Sequence, residues 1–303
     1  MRFQILGPVE IWDGDRALDL QGSKLRTVVA ALLLARGRFV ADYTLSELLW
    51  GEHPPTTSPA QIQTYMSRLR GLLGNEVRID RRRPGYVMHY DADQLDLVEF
   101  ERLVARGRAA DLEHRPHEAG VALSEALALW RGPALAGVTE ILSGLEQPRL
   151  EEARLVALEE RVDADLLLGR NAVLVPELTM LVAQNPLRER LRGQLMISLH
   201  RSGRQADALS VYQDCRRRLA EELGIDPGGQ LQRIRQEILV ADPGPVSGGL
   251  EEPQGVGGGS GAGAVPGVQR SVMRRGRSGD RQLLGAAAER VARRANRLPI
   301  DAV

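Results

Sequence analysis

Apolar side chains follow three regimes along the chain. Over residues 1–20 they roughly alternate: Phe3, Ile5, Val9 and Ile11 keep a two-residue period, Asp13-Gly14 reads as a hairpin turn, and Ala17 to Leu20 returns. From residue 23 the period becomes helical. Leu25, Val28, Val29, Leu32 and Leu33 share one face behind Ser23 as N-cap, and Gly37 stops the run. Leu45, Leu48 and Leu49 mark a short helix from Thr44 to Trp50, closed by Gly51 and His-Pro-Pro. A third helix opens at Ser58 as N-cap, with Pro59 at its first position and Gln61 completing a Ser-x-x-Gln capping box. Ile62, Tyr65, Met66, Leu69, Leu72 and Leu73 form its inner face. Val77 to Asp80 and Gly85 to Tyr90 are then two short strands on either side of Arg81-Arg82-Arg83-Pro84. Three helices followed by a hairpin are the parts of a winged helix-turn-helix.

Beyond Asp96 the pattern predicts helices alone, over 97–112, 117–131, 146–169, 175–184, 187–202, 205–223 and 228–240. Short turns between them imply antiparallel helical hairpins. In "LMISLHRSGRQADALSVYQDC", Leu195, Leu199, Ala208 and Tyr212 fall at tetratricopeptide spacing, with Cys215 at a small-residue position. Periodicity stops at Asp242. A Gly-rich linker and a stretch with nine arginines against Asp280, Glu289 and Asp301 follow, and disorder is expected there. The expected architecture is an α+β winged helix-turn-helix domain over 1–92, an all-α tetratricopeptide-like domain over 93–241, and a disordered C-terminal tail over 242–303.

The net charge of zero conceals an asymmetry. Residues 1–90 carry 12 basic and 9 acidic side chains (net +3), residues 91–241 carry 19 and 25 (net −6), and residues 242–303 carry 9 and 6 (net +3). The helical block is therefore a poor candidate for the main contact with a polyanion, and within the first block position must carry the argument. At about 100° per residue, the outer face of the third helix carries Ala60, Thr64, Ser67, Arg68 and Gly71, flanked by Gln61, Gln63 and Arg70, with no carboxylate from Ser58 to Gly74. A merely solvated face would mix signs. Thr64, Ser67 and Arg68, with Gln61 and Gln63 beside them, are the candidate base-reading residues, since arginine can grip a guanine edge bidentately. Arg81, Arg82 and Arg83 are candidate backbone contacts on the wing. Lys24, Arg26, Thr57, Ser58 and Arg70 complete that set, the helix start offering amides to a phosphate. Tyr86 and Gly85 are expected to serve packing and backbone geometry.

Other chemistry is thinly supported. Cys215 is alone, so neither a disulfide framework nor a cysteine metal cluster is expected. His114-x-x-His117 lacks a third well-placed ligand. Glu151-Glu152, Glu159-Glu160 and Glu221-Glu222 read as solvated or ion-paired helix faces. No nucleophile elbow, phosphate loop or Cys-His pair occurs, so no enzyme and no cofactor are expected. With no membrane-length apolar run and no signal-peptide pattern, a soluble cytoplasmic, nucleoid-associated protein is expected.

Several stretches carry a family likeness: "LLLARGRFVADYTLSELLWGEHPP", "QIQTYMSRLRGLLG", "RRPGYVM" and "NPLRERLRGQLMISLHRSGRQADALSVYQDCRRRLAEELGIDPGGQLQRI". The N-terminal block is similar to the OmpR-type winged helix, and its coupling to the helical block resembles the Streptomyces antibiotic regulatory protein family. The resemblance covers roughly residues 1–240, and the "GRQADAL" to "ELGIDPG" run, similar to the family's bacterial transcriptional activation domain, is its most specific part. It implies a pathway-specific activator of secondary-metabolite genes. Such a protein binds direct repeats in double-stranded promoter DNA, self-associates there, and recruits RNA polymerase holoenzyme, with the sigma factor as the expected contact.

Two departures stand out. OmpR-type response regulators place a phosphorylatable receiver before the winged helix. Here that element starts at residue 1, so control of that kind is not expected. Larger family members add a nucleotide-binding ATPase or a phosphopeptide-binding domain; here "GVGGGSGAGA" has no Gly-Lys-Ser/Thr and makes no phosphate-binding loop. The residues alone also leave open a regulator whose helical groove senses a peptide or small molecule, and a repressor or architectural DNA binder.

Overall fold

The computed structural model describes residues 1–240, so the linker and tail expected over 242–303 lie outside the described residues. The described chain is mostly helical, with two small three-stranded sheets. Strands β1 (Arg2–Gln4), β2 (Glu10–Asp13) and β3 (Arg16–Ala17) form the first, in that order, and Phe3, Ile5, Val9 and Ile11 are buried as their alternation predicts. The second sheet joins β4 (Val40–Ala41), β5 (Arg78–Arg82) and β6 (Gly85–His89), with β6 in the centre.

Between the sheets lie α1 (Ser23–Leu34), α2 (Asp42–Trp50) and α3 (Ser58–Leu73), whose apolar faces close over one core. The helix limits come close to the sequence pattern, but the caps do not. Gly22, not Ser23, precedes the first turn of α1, and Thr57, not Ser58, precedes that of α3. Neither Ser23 nor Ser58 caps its helix; each is the first helical residue. Thr27 Oγ1 donates to Ser23 O, drawing that carbonyl into the turn.

The helical block comprises α4 (Asp96–Leu112), α5 (Pro116–Ala128), α6 (Glu140–Leu167), α7 (Asn171–Gln184), α8 (Glu189–Arg201), α9 (Gln205–Leu223) and α10 (Gly229–Val240). Two of these helices, α6 and α7, begin a turn or more before the pattern predicts, and both carry an internal proline: Pro148 in α6 and Pro176 in α7. Proline marks a helix start in sequence because its missing N–H costs nothing in the first turn. Here the packing of Leu142 and Leu174 carries the helix through it.

Packing runs across residues 92 and 93. One core runs from Phe3 to Ala157 and includes Leu97, Phe100, Leu123, Trp130 and Leu142; a second, from Val162 to Ile238, fills α6 to α10. Backbone bonds sew the first sheet to the segment between α5 and α6: Arg131 N to Leu6 O, Leu135 N to Ile5 O, Ala136 N to Gly7 O and Val9 N to Ala136 O. Asp96, buried at the start of α4, accepts from the amides of Ile5 and Leu6 at 2.9–3.0 Å. A hydroxyl knot adds to the seam. Thr139 N donates to Thr27 Oγ1 at 2.8 Å, and Thr139 Oγ1 donates to Leu48 O at 2.7 Å.

Candidate nucleic-acid interface

The outer face of α3 stands clear of the core. Gln63, Thr64, Ser67 and Arg68 are exposed, while Ile62, Met66, Leu69 and Leu73 are buried. Thr64 Oγ1 donates back to Ala60 O at 2.9 Å, so its hydroxyl faces a ligand as an acceptor. Gln61 is half-buried and donates from Nε2 to Thr57 Oγ1 at 2.8 Å, which ties it to the helix start. The start itself offers less to a phosphate than expected. Ser58 donates its amide to Pro55 O, Gln61 donates to Thr57 O, and Pro59 has no N–H. Ala60 is left as the amide of the first turn without a backbone partner among the described residues.

The hairpin follows directly. Its register pairs Arg81 with Tyr86 and Arg82 with Gly85, so Arg83-Pro84 alone forms the turn and two of the three arginines belong to β5. Adjacent strand residues point to opposite faces, and the arginines therefore part company. All three are exposed, but their side chains are engaged differently. Arg81 lies over the Tyr86 ring, 4.4 Å from its centroid, and forks onto Asp42 at the surface. That fork holds the guanidinium pKa above its ordinary value. Arg70 is likewise engaged: Nε and Nη2 donate to Ile79 O at 3.1 and 2.8 Å, tying α3 to β5. Among the described residues, Arg68, Arg82 and Arg83 make no ion pair, whereas Arg78 pairs with Asp80 and Arg81 with Asp42.

Lys24 and Arg26 are half-buried. The Lys24 ammonium sits 5.0 Å from the Trp50 ring centroid. The Arg26 side chain lies along Gly137, where an added Cβ would meet its Cδ at 3.2 Å. Asp42 is the residue that sequence reasoning missed. An acid in the first turn of a helix ordinarily serves the helix dipole, and nothing local marks it as a partner for an arginine 39 positions away.

The helical block presents paired charges. Glu159, 1% exposed, takes Arg188 Nε at 2.6 Å and Arg190 at 3.5 Å, and Arg188 reaches on to Glu152. Of the paired acids, Glu159 is thus buried within an ion-pair network, and Glu160 pairs with Arg108. These bonds hold the Arg188 pKa above its ordinary value. Leu195, Leu199, Ala208, Tyr212 and Cys215 all pack in the second core, where α8 meets α9.

Comparison with known proteins places this arrangement. The bacterial transcriptional activator domain matches residues 95–239. Regulatory protein AfsR of Streptomyces griseus is 43% identical over 242 residues, covering 80% of this chain and 25% of that protein, so the chain spans about a quarter of that relative's length. Regulatory protein DnrI of Streptomyces peucetius is 38% identical over 264 residues, covering 84% of this chain and 97% of DnrI. The solved structure of Mycobacterium tuberculosis EmbR in complex with a low-affinity phosphopeptide superposes with a TM-score of 0.75 at 32% identity, over 78% of this chain and 64% of that one. With DnrI matched over nearly its whole length, the chain belongs to the Streptomyces antibiotic regulatory protein family of transcriptional activators.

Proposed function

We propose that the chain is a sequence-specific DNA-binding activator of secondary-metabolite genes in which residues 1–92 act as a winged helix-turn-helix. In this reading α3 enters the major groove and the β5–β6 hairpin lies along the neighbouring backbone. One observation carries it: an exposed, acid-free helix face bearing Arg68 stands beside a hairpin whose Arg82 and Arg83 have no internal partner among the described residues. Thr64, Ser67, Arg68 and Gln63 read bases. Arg82 and Arg83 supply phosphate contacts. The tetratricopeptide-like helices support self-association on promoter repeats and contact RNA polymerase, the sigma factor being the expected partner. Placement at the nucleoid follows from that role. A footprint over the upstream regions of neighbouring genes tests the reading, with two protected direct repeats as the expected result. Added protein should also raise open-complex formation by polymerase; protection without such a rise would make the chain a repressor or an architectural binder.

Arg68→Ala is expected to weaken operator binding by about 1–3 kcal/mol and to relax preference at one base step. Binding to a random duplex should change little. Competition titrations on both duplexes measure this, and equal losses on the two would remove Arg68 from base reading. The ligand-sensing alternative gains no support from the open cleft between α6 and the α7–α8 turn, because Arg188 bridges Glu152 and Glu159 across its wall.

A further inference from the structure

We infer that Asp42 and Arg81 form a positioning pair that sets the pose of the hairpin against α3, and that Arg81 is not a DNA contact. The inference rests on the DNA-binding reading and divides labour among its three arginines. Arg81 is held on several sides. Its Nη1 and Nη2 donate to the two carboxylate oxygens of Asp42 at 2.5 and 2.7 Å, a bidentate geometry that orients as well as attracts. Its guanidinium covers the Tyr86 ring, and Nη1 lies 3.4 Å from Gly85 O. Asp42 is fixed in turn, since its amide donates to Pro84 O at 2.8 Å. One residue of α2 thus grips the hairpin at Arg81 through its side chain and at Pro84 through its backbone.

From the other side, Arg70 of α3 bonds Ile79 O, with its own guanidinium 5.9 Å from the Tyr86 ring centroid. Tyr86 is therefore contacted by one arginine bound to α2 and by another rooted in α3. A phosphate approaching Arg81 would have to displace two charge-assisted bonds and a stacked ring. At Arg82 or Arg83 it displaces only water. The third positive charge of the triplet is paired with a carboxylate of the protein itself at the surface, and its use is geometric: it fixes how far the hairpin stands from the reading helix.

Salt dependence of the full chain on a short mixed-sequence duplex tests this, because the log–log slope changes by about 0.9 per phosphate contact. R82A and R83A are each expected to make the slope shallower by about one contact. R81A should keep the wild-type slope while lowering the ratio of operator to random binding by about tenfold, as a displaced hairpin misaligns the contacts. The exchanged pair D42R/R81D should recover both slope and ratio, although it puts an acid where the arginine stood. An R81A slope as shallow as that of R82A overturns the inference, and so does an exchanged pair as impaired as D42R alone. A wild-type chain that binds no duplex overturns the DNA-binding reading and this inference with it. Wild-type binding with a lost slope in R81A overturns this inference alone.

Discussion

Gly85→Ala is expected to lower stability by about 3 kcal/mol and to weaken binding to every duplex, specific or random. An added Cβ would fall 2.1 Å from Val40 O and 2.6 Å from the Phe39 ring. Phe39 is half-exposed and can swing away. The Val40 carbonyl cannot, because Val40 pairs with Tyr86 and Ala41 with Gly85 in the sheet. Relief requires β4 to part from β6, which also pulls the Asp42 amide from Pro84 O. Urea unfolding reads the first effect and a salt-titrated binding curve the second. Gly144→Ala is the control, since open space surrounds that helical position and the change should stabilise by roughly 0.5–1 kcal/mol. If Gly85→Ala unfolds at the wild-type midpoint, close strand approach is not what that glycine provides.

Asp96→Ala is expected to cost about 2–5 kcal/mol. Its carboxylate is the only acceptor among the described residues for the Ile5 and Leu6 amides, and each buried amide left without a partner costs about 1–3 kcal/mol. Asparagine keeps one acceptor oxygen but turns a donor toward the same amides, so it should fall between. Burial raises the Asp96 pKa above the ordinary carboxylate value, with the two amides and Arg131 pulling the other way. A folded state that holds the proton more tightly than the unfolded chain gains most below the unfolded pKa. It loses that gain as pH rises through the raised folded value. The stability advantage of wild type over Asp96→Asn should therefore shrink over that window. An advantage that grows with pH there would mean that the amides and Arg131 outweigh burial.

Much of this was legible one element at a time. Leu25 to Leu33 and Ile62 to Leu73 predicted two helices and their inner faces because amphipathic period is a local property. The acid-free outer face of α3 was legible for the same reason. What escaped is what depends on partners distant in sequence. Arg81 looks like Arg82 and Arg83 until register alternation and Asp42 separate them. Arg70 looks like a free flank until Ile79 O lies beside it. Ser23 and Ser58 resemble caps, yet the chain enters each helix one residue sooner, a shift that side-chain chemistry alone does not register. The expected boundary near residue 92 was read from a change of period, and period says nothing about whether two modules share a core.

That shared core has a consequence for how the promoter is laid out. Thr27, Thr139 and the Leu48 carbonyl pin α1 and α2 to the start of α6, and no slack tether separates the element proposed to sit in the groove from the first helices beyond it. In the proposed complex, any surface on that block keeps a fixed azimuth around the duplex. Its reach to polymerase is then a matter of helical phase. Inserting about half a turn of DNA between the repeats and the promoter core should silence activation, and a whole turn of about 10.5 base pairs should restore part of it.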